Sequence, residues 1–192
     1  MTNLKALRCS LSLVLLAAVS AAASAGGPVV PFDIQVPLVL KALTYDRNLK
    51  GRAGEHVRIA VLSPKGSAST AAELQASLAA LPDRTVNGMP VSFREIKGSD
   101  EAALDQGLSE GHWAAIYVMP GFDRDDLAKI RRVAESRHVL AVAAEAQDVE
   151  RGMVFGVAAQ GGKPQLVVNL TGAKACGSDF DLALIRLSRV IP

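Results

Sequence analysis

The chain has 192 residues, 49% hydrophobic and 21% charged, with 21 Lys and Arg against 19 Asp and Glu. That length suits one domain with one core. The near balance of charge argues against a nucleic-acid or anionic-membrane surface, each of which needs a clustered positive excess.

Residues 1–25 have the form of a cleavable secretory signal peptide. Lys5 and Arg8 lead, Leu11 to Ala23 is uncharged and apolar, and Ala23-Ser24-Ala25 supplies the small residues of a cleavage site. The run is shorter than the roughly 20 apolar residues of a membrane span, and Gly26, Gly27 and Pro28 stop any helix. Removing 25 of 192 residues leaves 167, with 19 basic against 19 acidic side chains and Cys176 as the one cysteine. An unpaired cysteine in an oxidising compartment is either buried and inert or links two copies into a homodimer. Burial is the expected state, since cysteine is among the most buried residue types.

After a linker over 26–32, Asp33 can cap a helix whose stripe is Ile34, Leu38 and Ala42, running to about Leu49–Gly51. Val57 to Leu62 reads as a strand, and Thr70-Ala71-Ala72-Glu73 has the spacing of a capping box for a helix to about Leu81. Asn87-Gly88-Met89-Pro90 breaks the chain, Val91 to Ile96 alternates as a strand, and Ser99 can cap a helix to about Ser109. Ala114 to Met119 is a buried-type strand, and Asp123 caps a helix carrying Asp125 and Asp126 early and Arg131, Arg132 and Arg137 late, as the macrodipole favours. Val139 to Ala143 is the next strand. Met153 to Gln160 and Gln165 to Leu170, joined by only four residues, read as an antiparallel hairpin, and a helix from about Asp179 to Val190 closes the chain.

Strands alternating with helices imply parallel pairing through crossovers. The predicted fold over residues 33–192 is a single three-layer α/β/α sandwich: a mostly parallel sheet of five to six strands, a C-terminal antiparallel hairpin and a closing helix.

Chemical motifs are scarce. His56, His112 and His138 have no paired ligand spacing, and the nucleophile elbow, dinucleotide and P-loop patterns are missing, so no metal, cofactor or catalytic residue is expected. Ser63, Lys65, Gly66, Ser67, Ser69 and Thr70 form a polar loop between the first strand and the next helix, where an open parallel sheet usually binds ligands and where an anion would be suited. The bland alternative is a loop that only caps its helix. Tyr45, Arg47, Arg186 and Arg189 are of types common at contact surfaces, although each is more often an ordinary helix residue.

The order of segments resembles the YfiR/HmsC family of bacterial periplasmic proteins over nearly the whole mature chain. Ile34 to Asp46 followed by Val57 to Leu62 is similar to that family's first helix and strand. Gly152, Met153 and Phe155, then Asn169 and Leu170, then Leu182 to Val190 resemble its tail in order and spacing. Tyr45 to Leu49 stands where relatives commonly have Trp-Pro, Arg151 replaces a glycine, and the relatives' cysteine pairs are missing. The resemblance implies a non-catalytic periplasmic regulator that binds the sensor part of an inner-membrane diguanylate cyclase or kinase and restrains it. The rival reading is a periplasmic small-molecule or anion-binding protein, since one α/β/α domain is similar to one lobe of a solute receptor.

Overall fold

The computed structural model describes residues 30–191, save the side chains of residues 68–71. The leader predicted over 1–25 and most of the linker predicted over 26–32 lie outside them. Among the described residues, no helix is long and apolar enough to cross a membrane.

One mostly parallel sheet has the order β2-β3-β1-β4-β5-β6-β7-β8. The strands are β1 (Val57–Ser63), β2 (Thr85–Val86), β3 (Met89–Lys97), β4 (Ala115–Val118), β5 (Leu140–Ala143), β6 (Phe155–Gln160), β7 (Lys163–Asn169) and β8 (Ser188–Ile191). β3, β1, β4, β5 and β6 run parallel, β6 and β7 form the predicted antiparallel hairpin, and β8 returns parallel to β7. The central strands β4 and β5 are buried along their whole length, which is why they read as continuous apolar runs rather than alternating ones.

Helices α1 (Phe32–Leu43) and α3 (Ala68–Ala79) cover one face, and α4 (Glu101–Ser109) and α5 (Arg124–Arg137) the other. The faces are fixed by register. Tyr117 of β4 donates its O–H to Gln35 Oε1 of α1 at 2.7 Å. Val118 and Leu62, one residue on, point the opposite way with Ile96, which packs under Gly107 of α4. Gln35 is fully buried and donates to the carbonyls of Val30 (2.6 Å) and Ala144 (3.1 Å), so all its polar atoms are satisfied and α1 is held at one depth on the sheet.

The structure corrects several boundaries. Among the described residues the sheet has eight strands rather than five or six. The extra β2 forms because Asn87 and Gly88, with φ of 53° and 77°, make a tight hairpin turn instead of a simple break. The first helix begins at Phe32 without a side-chain cap from Asp33 and stops at Leu43, where Thr44 Oγ1 donates to the Lys41 carbonyl at 2.7 Å. A separate α2 (Leu49–Ala53) follows. The helix expected from Thr70 starts at Ala68, and Asp100 rather than Ser99 caps α4, accepting from the Ala103 N–H at 2.9 Å. Asp123 caps α5 as expected, accepting from the Asp126 N–H at 2.8 Å. Short helices α6 (Gln147–Glu150) and α7 (Leu170–Ala175) were not foreseen. The closing helix is the largest difference: α8 spans only Leu182–Leu187, and Ser188 to Ile191 extend into β8, where edge pairing to β7 outweighs helix propensity in Val190 and Ile191.

The α1–α2 turn is tied to the far end of the chain. Asp46 forms an isolated bridge with Phe180, and its buried carboxylate accepts from the Asn48 (3.0 Å) and Asp179 (3.1 Å) N–H groups while ion-pairing with Arg52. Arg52 also donates to Ser178 Oγ at 2.8 Å.

Cys176 is buried, and burial pushes its thiol up to about 11. The two alternatives for an odd cysteine therefore resolve to the inert one in the folded chain. Ellman's reagent should leave the native protein unlabelled over minutes at pH 8 and titrate Cys176 promptly in denaturant; fast labelling of native protein would contradict this burial.

Candidate functional site

The predicted loop at the C-terminal edge of the sheet lies beside a cleft. β1 sits between β3 and β4, so the loops after these three strands part at a topological switch point, and a cleft of about 470 Å³ opens there. Lys65, Ser99, Asp100, Asp126 and Lys129 line it. Ser99 Oγ donates to Asp126 at 2.6 Å and the Lys129 ammonium lies 3.1 Å from the same carboxylate, contacts that hold Asp126 below its ordinary range, the Ser99 bond foremost. With Glu101 also on the rim, three carboxylates face two lysines. Of the predicted loop residues whose side chains are described, only Lys65 reaches the cleft wall. Ser63 is buried at the end of β1 with an unpartnered hydroxyl, Gly66 makes the turn at φ 93°, and Ser67 precedes α3 without a side-chain cap bond. Ser69 and Thr70 fall in the first turn of α3.

The tail residues that carry the family resemblance are structural. Met153 and Phe155 are core residues, and Phe155 meets Phe180 edge-to-face at 6.1 Å. Gly152 takes φ 112° beneath Arg131, where a Cβ would come 2.8 Å from Arg131 Cδ. Asn169 caps α7, accepting from the Gly172 N–H at 2.8 Å, and Leu170 opens that helix half-buried.

A second hollow, an apolar groove of about 630 Å³, runs between α1, the β6–β7 hairpin and α8. Leu38, Tyr45, Leu166, Leu184 and Leu187 form its walls, and Lys41 and Lys163 stand beside them with no carboxylate among the lining residues. The Lys41 ammonium lies 5.6 Å from the Tyr45 ring centroid. Gln165 adds a buried side-chain carbonyl to which no group among the described residues donates. Two of the three leucines of α8 are turned outward: Leu182 is 61% and Leu187, of the groove wall, 69% exposed, against 2% for Leu184. The helix predicted from Asp179 to Val190 therefore does not present one continuous face, because a six-residue helix followed by a strand cannot keep one helical side over that span.

Of the four expected contact residues, only Tyr45 joins this groove. Arg47 is turned to Asp181 (2.8 Å) and Asp179 (3.4 Å), bonds that raise its pKa and anchor the loop before α8. Arg189 lies on β8, not on a helix, and pairs with Glu150 at 3.2 Å. Arg186 is exposed on α8 with no ion-pair partner among the described residues. The sequence reading missed Leu38, Lys41 and the hairpin as groove walls. The one available signal was a closing segment with more leucines than a short helix can bury.

Comparison with known proteins agrees with this architecture. A family model described as YfiR/HmsC-like matches residues 38–189. No curated protein matches well enough to count as a relative. Among solved structures, a conserved domain protein from Vibrio cholerae O1 biovar El Tor is 16% identical with a TM-score of 0.58, aligned over 83% of this chain and 60% of its own. A domain from Streptococcus pneumoniae solved with L-Trp is 15% identical with a TM-score of 0.55, over 84% and 62% respectively. A ligand-free, open substrate-binding protein with adhesive properties from Clostridium difficile is 18% identical with a TM-score of 0.51, over 75% and 57%. The chain spans about three fifths of these structures, and the likeness is one of fold.

Proposed function

Since the chain belongs to the YfiR/HmsC-like family, we propose that it is a non-catalytic periplasmic regulator that binds and restrains the sensor domain of an inner-membrane signalling protein, a diguanylate cyclase or a kinase. The observation that carries this reading beyond family membership is the groove between α1, the hairpin and α8. Its floor is apolar, Lys41 and Lys163 are the charged residues in its lining among the described residues, and Leu187 of that lining is exposed. Exposed apolar surface of this kind marks a binding face. The matching partner is an apolar segment flanked by carboxylates, with a donor for the Gln165 carbonyl.

Regulation of this kind works by preferring one partner state. Driving a two-state receptor from 1:99 to 99:1 takes a differential affinity of roughly 5.5 kcal/mol, within reach of an interface with a central apolar anchor. The test is affinity capture of cross-linked inner-membrane proteins on the purified domain. A cyclase or kinase sensor should be recovered, and Leu187→Asp, which alters a side chain 69% exposed, should weaken its binding by about tenfold or more without changing thermal stability. Repeated recovery of no membrane signalling protein, or equal capture by the variant, would overturn the proposal.

A further inference from the structure

A third hollow lies at the opposite edge of the sheet from the cleft, where β4 and β5 begin. It has a volume of about 250 Å³, and its polar walls are Arg52, Ser109, whose hydroxyl donates to the Gln106 carbonyl, His112, Trp113, Arg137 and His138, with no carboxylate among the lining residues. Asp46 and Asp105 hold the two arginines from elsewhere, Arg137 through a bidentate contact at 2.5 and 2.6 Å. Two wall residues bring buried N–H groups without an acceptor. The Arg52 side chain is 9% exposed and its Nε has no partner, and the indole N–H of Trp113, a residue 5% exposed, has none either. The Arg58 guanidinium lies against Gly111 on the same rim and forms no ion pair among the described residues.

We propose that this pocket is an anion site that takes a small oxyanion, either inorganic phosphate or the carboxylates of a small organic acid. Every polar wall side chain that remains unpaired is a donor or an imidazole, so the missing partner is an acceptor. A buried N–H without an acceptor is destabilising. The C-terminal carbonyls of α4 and α5 also face this edge and oppose an anion, but a helix terminus contributes less than two satisfied buried donors return. The volume is below the roughly 300–1,000 Å³ of pockets for drug-sized ligands, which restricts the occupant to a compact ion. The site is separate from the groove and does not depend on the identity of a protein partner.

The chain has a single tryptophan, so Trp113 gives one indole ¹⁵N–¹H resonance that reports on the pocket directly. Titration of inorganic phosphate, and separately of citrate, at constant ionic strength should move this resonance saturably, whereas chloride should not. Phosphate alone acting identifies the inorganic ion as the occupant; citrate alone acting identifies the organic acid. The double variant His112→Ala/His138→Ala, at two exposed positions, should weaken the response by about tenfold. Trp113→Phe, which keeps an aromatic ring and deletes the N–H, should abolish the phosphate-dependent rise in melting temperature. Absence of saturation by about 10 mM with both anions, or an unchanged response in the double variant, would identify a water-filled hollow and end the proposal.

Discussion

Asp46→Ala should destabilise the domain by about 3–5 kcal/mol, the usual cost of removing one partner of a buried ion pair. The carboxylate is fully buried and serves three donors: Arg52 and the N–H groups of Asn48 and Asp179. Truncation leaves a guanidinium in a nearly dry site with Ser178 as its remaining partner, and it strands two backbone donors. Against a typical total stability of about 5–15 kcal/mol, this is about a fifth or more. Urea denaturation should show a lower midpoint at an unchanged slope. Asp46→Asn, which keeps an acceptor for the backbone and loses the charge, should fall between the two. A loss below about 1 kcal/mol in the alanine variant, the scale of an exposed pair, would mean that the pair behaves as a surface contact.

Gly156→Val separates two opposing effects. On propensity alone, valine in a strand should stabilise by up to about 1 kcal/mol. Gly156, however, sits on β6 where β5 crosses close by: a Cβ would lie 2.9 Å from the Ala143 carbonyl oxygen and 3.1 Å from Val149 Cγ2 of α6. The first contact is backbone of a central strand and cannot swing away, so overpacking of about 1–3 kcal/mol should win. We expect a melting temperature lower by several degrees in calorimetry. An equal or higher value would show that β5 and β6 can part without cost. The result also bears on why a glycine follows Phe155: close approach of two strands demands it, with no ligand involved.

Six of the eight strands, and the helix beginning at Asp123, were legible because their signals are local. An apolar run, an alternating run or a cap followed by acidic and then basic residues needs no knowledge of the rest of the chain. The elements that escaped depend on distant partners. α1 ends at Leu43 because Asp46 is claimed by Asp179 and Phe180, and no window around Asp46 contains them. β8 forms because β7 presents a free edge, whereas Leu182 to Val190 alone reads as one amphipathic helix. The candidate sites follow the same division. The switch-point loop was visible as strand, polar turn and helix, but the groove joins residues from three separate parts of the chain. The donor-lined pocket was hidden further still, since His112 and His138 show no paired ligand spacing in the sequence. Their meeting with Arg52 is a product of the sheet order.

The bond from Asp46 to the Asp179 N–H spans 133 positions of sequence. Synthesis proceeds from one end, so the corner around Asp46 and Arg52 stays open to water until the segment around Ser178 and Asp179 has emerged, and the turn after the first helix cannot close before then. Contacts that close such long loops form late and slowly. The corner is therefore a latch on the order of events: a chain interrupted before Asp179, or held extended while it crosses a membrane, lacks the closing contact however well its central strands have paired.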